Sequence, residues 1–342
     1  MKTPVDYIFG ETLPEPGQVL DVAEGIRWIR MPLPFALNHV NLFLIDDGDG
    51  WVLIDTGIGL PETQGLWETI LANCLQGRPI TKILVTHFHP DHMGCAGWLT
   101  DKLGVEMWTS RTEWLSARSI RLDDSAEFLD NLVTFYVKTG LGTTMAGELR
   151  TLGNSYRQQV APIPMTYHKL ADGDLFEIGR FKFRVVIGSG HSPEHICLHC
   201  AETGIMLGGD FLLPRISPNV SVWWSEPDSN PLNDYFEFLS GLDQIDPEIL
   251  VLPSHDRPYR GLDKRVRDLL LHHEERLDLA QEVCRTPSSA ADVMRRMFQR
   301  ELDTHQTRFA IGESLSHINK LLADGRITRR LGDDGAWIYE AA

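Results

Sequence analysis

Three imidazoles and a carboxylate fall within six positions in the stretch Thr86-His87-Phe88-His89-Pro90-Asp91-His92. A structural segment has little use for such a set, whereas a metal ion does. Two histidines at i and i+2, at the end of an extended segment, point to one side and can bind one ion. Asp91 and His92 follow where the chain has turned, so they face a neighbouring position and a second ion. Neutral imidazole suits zinc, iron, cobalt or nickel, and a carboxylate beside it suits an ion that keeps one position open for water. The chemistry expected is metal-assisted attack by water.

Positioning such a cluster needs a rigid strand end followed by a loop. The apolar run Ile83-Leu84-Val85, within Lys82 to Thr86, reads as a short buried strand. Pro90 then supplies no N–H and disfavours helix at His89, which forces the turn. Upstream, Gln18 to Val22, Ile26 to Met31, Val40 to Ile45 and Trp51 to Asp55 read as strands, the last two joined across Asp46-Asp47-Gly48-Asp49-Gly50. Pro61 to Leu75 has helical spacing. Asp55 lies at a strand end, where it could orient a ligating histidine or a metal-bound water from behind; the alternative is a turn or capping aspartate.

His87-x-His89-x-Asp91-His92 resembles the signature of the metallo-β-lactamase fold hydrolases, and four further motifs of that family follow its order. They are Leu53-Ile54-Asp55-Thr56-Gly57, Gly190-His191-Ser192-Pro193-Glu194-His195, Gly208-Gly209-Asp210-Phe211 and Pro253-Ser254-His255-Asp256. The resemblance covers about residues 17 to 262. It implies an α+β fold, a four-layer αββα sandwich. It also implies two divalent metal ions, zinc first, with iron or manganese as alternatives. His87, His89 and His191 would hold one ion, Asp91, His92 and His255 the other, and Asp210 would bridge them. Asp91 and Asp210 are then the catalytic carboxylates: the bridged ions deprotonate a water that attacks the substrate, and Asp91 helps pass the proton to the leaving group. Glu194 stands where many members have glycine, which puts the shape of that loop in question.

The interval between His92 and His191 exceeds what a strand and a helix need. Residues from about 111 to 167 read as a helical insertion, with Phe128, Leu132 and Phe135 beside Leu129 and Tyr136 on one face, and a second helix expected from Thr144 to Val160. Trp114, Phe135, Tyr136 and Met145 could line a substrate pocket there, or only pack the insertion's own helices. Arg215, Trp223 and Trp224, in the loop after Asp210, are further candidates for substrate contact, with packing as the alternative.

At 342 residues the chain suits one large domain plus a smaller appendage, read as 1–262 and 263–342. From Gly261 a long helix carries Val266, Leu270, His273, Leu277, Ala280 and Cys284 on one stripe and leaves the catalytic body; His273 reads as a helix-face residue. Two more helices and a hairpin, Ile327 to Leu331 and Trp337 to Tyr339, follow Thr286-Pro287-Ser288-Ser289. That order resembles a winged-helix module. It raises DNA binding, but the formal charge of −16 opposes a polyanionic partner. Arg285 to Ala342 holds nine Lys and Arg against eight Asp and Glu, a net of only +1. A packing role or a homodimer contact is preferred for it, and nucleic acid is disfavoured.

Met1 to Gln18 shows no basic segment leading into an apolar one, and no run approaches the roughly 18 apolar residues of a membrane span. A cytoplasmic protein with a small-molecule substrate is expected. Five cysteines do not read as a disulfide framework, and Cys197 and Cys200, three apart on one strand, should face opposite ways. An acyl ester, thioester or lactone fits a metal-bound nucleophile beside an apolar insertion. Two alternatives stand: a mononuclear-iron sulfur dioxygenase, which shares the histidine motif, and a nuclease.

Overall fold

The structure is a computed structural model describing residues 5–342; the first four residues of the polar opening segment lie outside the described residues. After β1 (Asp6–Tyr7), four strands run antiparallel to one another: β2 (Leu20–Ala23), β3 (Ile26–Pro32), β4 (His39–Asp46) and β5 (Trp51–Ile54). Helix α1 (Pro61–Asn73) leads to β6 (Ile80–Leu84), and the single turn α2 (Pro90–Met93) with α3 (Ala96–Leu103) leads to β7 (Glu106–Thr109). Four helices, α4 (Arg111–Leu122), α5 (Ala126–Lys138), α6 (Gly142–Thr151) and α7 (Ser155–Gln159), precede β8 (His168–Lys169). Strands β6, β7 and β8 add in parallel, completing a seven-stranded sheet in sequential order from β2 to β8.

The second sheet takes β9 (Leu175–Ile178), β10 (Phe181–Gly188), β11 (His195–Cys200) and β12 (Ile205–Gly209). After α8 (Pro231–Gly241) come β13 (Leu250–Pro253) and β14 (Tyr259–Arg260), and β1 pairs with β14 at the edge. The rest is α9 (Leu262–Val283), β15 (Ser288–Ser289), α10 (Ala290–Met297), α11 (Thr304–Ala323) and the hairpin β16 (Ile327–Leu331) and β17 (Trp337–Ala341). These last strands form a small sheet in the order β15-β17-β16. Among the described residues no helix is long and apolar enough to cross a membrane.

Alternation along the strands builds the layers, because successive side chains point to opposite faces. Phe43 and Ile45 of β4 face inward and meet Phe183 and Val185 of β10, so one apolar cluster lies between the sheets. Leu42 and Leu44 face outward under α1 and α3, with Trp67, Ile70 and Leu99. Strand β11 does the same: Ile196, Leu198 and Cys200 face the other sheet, while Cys197 joins the outer cluster beneath α8 and α9. The C-x-x-C pair is thus split across the sheet, and all five cysteines are free.

The insertion divides between two cores. Ala117 of α4 and Tyr156 of α7 pack on the outer face of the first sheet. Leu132, Phe135 and Tyr136 of α5 and Ala146 and Leu149 of α6 instead share a cluster with α8 to α11. The second insertion helix is also shorter than its spacing suggests. Gly153 adopts φ +60 and ends it, and the Asn154 side chain caps α7 by accepting from the Arg157 N–H. His273 is not a plain face residue of α9: it is buried, with Nδ1 3.1 Å from His317 Nε2.

One close approach holds the insertion to the body. A Cβ on Gly97 of α3 would lie 1.7 Å from the Pro162 carbonyl oxygen, so only glycine lets that segment pass. The substitution Gly97→Ala is expected to cost about 2 kcal/mol, the usual scale of overpacking. A thermal midpoint several degrees lower would show it; an unchanged midpoint would contradict this packing.

Candidate metal centre

The motif residues converge at one edge of the two sheets. Asp55 follows β5, His87 follows β6, His191 follows β10, Asp210 follows β12 and His255 follows β13. Backbone bonds tie the sheets together at this edge: Ile196 N–H to the Thr86 carbonyl at 2.9 Å and Asn41 N–H to the Ser254 carbonyl at 2.6 Å. The seven expected ligands then fall into two groups, His87, His89, His191 and Asp210, and Asp91, His92 and His255. Within each group one donor atom per residue lies within 4.8 Å of all the others. Asp210 offers one oxygen to each group. Its Oδ2 is 3.3 Å from His191 Nε2, and its Oδ1 is 3.4 Å from His92 Nε2 and 3.3 Å from His255 Nε2.

Hydrogen bonds on the far side of three rings fix which nitrogen faces inward. His191 Nδ1 donates to the Asn219 carbonyl at 2.8 Å, His255 Nδ1 to the His39 carbonyl at 2.7 Å, and His92 Nδ1 to Asp55 Oδ2 at 2.8 Å. In the neutral rings each Nε2 is therefore a bare lone pair. Those lone pairs face carboxylate oxygens at 3.3–3.6 Å. His92 Nε2 and Asp210 Oδ1 are buried with no hydrogen-bond partner. Lone pairs so placed repel unless a cation sits among them. Ligand atoms about 2.0–2.1 Å from a tetrahedral ion lie about 3.4 Å from one another, so the residues fit a metal.

The electrostatics agree. Burial pushes His87 and His89 well below the usual imidazole range, and the neighbouring histidines push in the same direction, so each ring is neutral at neutral pH and keeps one nitrogen free to bind a cation. For His92 burial opposes charge, but the carboxylates of Asp55, Asp91 and Asp210 outweigh it and raise the ring well above its ordinary value. His255 is raised against burial by Asp210 and Asp91. Burial alone would raise Asp210; His255 and His92 hold it well below the carboxylate range. A centre that draws protons this way draws metal cations in the same way.

Asp55 occupies a left-handed conformation, φ +60, and accepts from the Thr86 N–H at 2.7 Å as well as from His92. Gly209 has φ +52, and a Cβ there would lie 2.2 Å from His195 Cε1. His195, quoted above only as part of a motif, has a place of its own: Nε2 accepts from the Asp210 N–H at 3.2 Å, and its ring lies 4.7 Å from that of His87.

Glu113, on α4, is another residue that sequence reasoning missed. It is fully buried. Its Oε1 accepts from Ser192 Oγ and the Glu194 N–H, both at 2.7 Å, and its Oε2 accepts from the Phe88 N–H at 2.8 Å. One carboxylate thus clamps the loop bearing His87 and His89 to the loop bearing His191. Burial pushes its pKa up to about 7, while the three donors pull it down. Tyr156 of α7 holds the next peptide, donating to the Phe88 carbonyl at 2.6 Å. Glu194, the departure from glycine, accepts from the Thr112 N–H at 2.8 Å and so caps the helix that carries Glu113.

The substrate-contact candidates are scattered. Tyr136 is 2% exposed and packs beside Phe135 in the apolar core, which leaves it no surface to offer a substrate. Trp114 stacks on Tyr167 and donates to the Pro164 carbonyl. Trp224 meets Phe128 edge-on. Arg215 is 68% exposed and pairs with Asp256, next to His255, at 3.3 Å. Trp223 lies beside Phe309 of α11.

Residues 36–255 match the family model of the metallo-beta-lactamase superfamily, and residues 277–342 match the metallo-beta-lactamase-like, C-terminal domain. The chain is 27% identical over 311 residues to "Probable metallo-hydrolase YqjP" of Bacillus subtilis, covering 89% of this chain and 94% of that protein. It is 29% identical over 195 residues to "Acyl-coenzyme A thioesterase MBLAC2" of Homo sapiens, covering 55% of this chain and 64% of that protein. Among solved structures, a beta-lactamase domain protein from Burkholderia ambifaria shares 40% identity at a TM-score of 0.93, covering 99% of this chain and 98% of that one. A metallo-beta-lactamase family protein from Thermus thermophilus shares 26% at 0.80, covering 94% and 100%.

Two substitutions probe the centre. Asp210→Asn removes the charge shared by both groups and is expected to lose metal and activity together; a fully metallated, fully active variant would sink the assignment. In Glu113→Gln one amide N–H₂ must face a donor N–H, so the clamp opens on one side. Metal content after dialysis is expected to fall below that of the parent chain, and equal retention would show that Glu113 does not hold the ligand loops.

Proposed function

The chain belongs to the metallo-β-lactamase superfamily and is a metal-dependent hydrolase, and from that premise we propose that it cleaves an acyl thioester or ester using a dinuclear centre, with zinc as the first candidate metal. The observation that carries this reading is Asp210, whose Oδ2 faces Nε2 of His191 in one group while its Oδ1 faces Nε2 of His92 and His255 in the other. Two divalent ions, when bound, supply a water acidified toward neutral pH and a positive centre for the acyl oxygen.

The chain's own residues supply the rest. Asp210 holds the two groups at a fixed separation. Asp91, whose carboxylate is 18% exposed, is the group that takes a proton during attack and returns it to the leaving group. Asp55 and the carbonyls of Asn219 and His39 keep three imidazoles in the tautomer that presents Nε2. Glu113 and Tyr156 fix the two peptides between His87 and His89, so the donors are set before substrate arrives. No serine or cysteine nucleophile is required. The human relative's name supports the thioester end of the range.

We read the two sheets and their flanking helices as the four-layer sandwich, and β15, α10, α11 and the β16–β17 hairpin as a winged-helix-like module. Two of the arginines there that would serve nucleic acid are engaged within the chain. Arg329 pairs with Asp228 at 2.8 Å, and Arg326 reaches Asp278 and Gln281. That supports a small-molecule substrate.

Plasma mass spectrometry on protein purified without added metal or chelator is expected to find about two divalent ions per chain. A panel of esters, thioesters and lactones should then show turnover that a chelator abolishes and zinc restores. One iron per chain, with oxygen uptake in the presence of a persulfide, would replace this reading with the sulfur dioxygenase.

A further inference from the structure

Helix α11 belongs to the C-terminal module, for which the sequence suggests only packing or dimer formation. Its first half reaches both loops that support the metal-facing histidines. On one side is the loop of Asn219, whose carbonyl accepts from His191. Asn219 Nδ2 reaches the Phe309 carbonyl at 3.5 Å, and the Val222 N–H donates to the Gly312 carbonyl at 3.1 Å. Gly312 makes this contact possible, because a Cβ there would lie 2.8 Å from Ser221 Oγ. On the other side is the β3–β4 loop, which leads into His39, the first residue of β4, whose carbonyl accepts from His255. Phe35 of that loop stacks on His305, in the first turn of α11, at 5.2 Å and 9°. The helix therefore spans from the support of one metal group to the support of the other.

Rings line that span. Phe35 meets His305, His305 meets Phe309 at 5.0 Å, and Phe309 meets Trp223 at 6.1 Å, and each of the four is partly exposed. Arg308 lies over Trp223 at 5.4 Å and over Phe309 at 6.0 Å. Among the described residues no carboxylate oxygen lies within 4.0 Å of its guanidinium, unlike Arg215, Arg257 and Arg329, which are all paired. Burial and Arg308 itself push His305 down, with Asp303 opposing, so the positive charge here is carried by the arginine.

We propose that this run of rings beneath Arg308 is a substrate subsite: the rings take an apolar portion of the acyl substrate, and the guanidinium takes an anion that the substrate carries, a phosphate or a carboxylate. The proposal rests on the acyl-hydrolase reading and deepens it. A phosphate would place the anion on the leaving thiol, and a carboxylate would place it on the acyl chain.

Three thioesters separate these cases: butyryl-coenzyme A, butyryl-N-acetylcysteamine, which carries no anion, and glutaryl-N-acetylcysteamine, which carries a carboxylate on the acyl end. The quantity read is kcat/KM for each anionic substrate divided by that for the neutral one, in the metal-loaded parent and in Arg308→Gln. A ratio from a single preparation is insensitive to partial misfolding or partial metal loss, so a merely structural role would leave it where it was. At least one ratio is expected to fall roughly tenfold or more, the scale of one lost charge-assisted contact, with partial recovery in Arg308→Lys. A fall for coenzyme A assigns the anion to the leaving group, and a fall for glutaryl assigns it to the acyl end. Unchanged ratios overturn the subsite. Should the parent cleave none of the three, the function proposed above fails, and calorimetric titration with coenzyme A and with glutarate decides the subsite alone. Binding weakened about tenfold or more by Arg308→Gln supports it; equal or absent binding in both proteins overturns it.

Discussion

A carboxylate buried among bare imidazole nitrogens is unstable without a cation, and the rest of the molecule is arranged around that constraint. Desolvating Asp210 costs several kcal/mol unless charge of the opposite sign is brought to it. His92 and His255 answer this when protonated, and metal ions answer it better, because they satisfy every inward lone pair at once. The arrangement survives only if the rings cannot rotate away. That is why His191 and His255 are backed by main-chain carbonyls rather than by mobile side chains. Asp55, which backs His92, is itself held by the Thr86 N–H in a left-handed turn.

The same constraint explains the division of the helical insertion. Its first and last helices, α4 and α7, pack on the outer core of the first sheet and send Glu113 and Tyr156 to the two peptides flanking Phe88. Its middle helices, α5 and α6, pack with the C-terminal module, where the Ala291 N–H donates to the Thr139 carbonyl and a Cβ on Gly140 would meet Ser289 at 2.5 Å. An element that reads in sequence as a helical insertion lining a pocket is thus in part a clamp on the ligand loop and in part a bridge between two units of the chain.

The two His/Asp clusters were legible because residue types that suit a metal stand close together: four of the seven members fall within six positions, and the others follow buried strands that alternation reveals. The strands and the split of Cys197 from Cys200 were legible for the same reason. Glu113, His195, Asn219 and His39 were not. Each acts on a partner far along the chain or through a backbone carbonyl, which any residue type can supply. Glu113 reads locally as an ordinary acid in the first turn of a helix; only the fold shows that its partners are Phe88, Ser192 and Glu194. Tyr136 failed in the opposite sense: an aromatic residue on an amphipathic face looks the same whether that face meets a substrate or a neighbouring helix.

The position of α11 bears on why the C-terminal module stays attached to this centre. Asn219 is held from two directions, by Ser221 and by the buried Glu313 of α11, and the carbonyl of that same residue orients His191. A displacement of α11 would therefore move the acceptor that fixes one imidazole, and would separate His305 from Phe35 on the loop that leads to the acceptor for another. The module and the metal centre share supports as well as a core, so the order of the one depends on the seating of the other. A detachable binding domain would place its contacts away from the ligand loops; here they fall on the residues that decide which nitrogen each histidine presents.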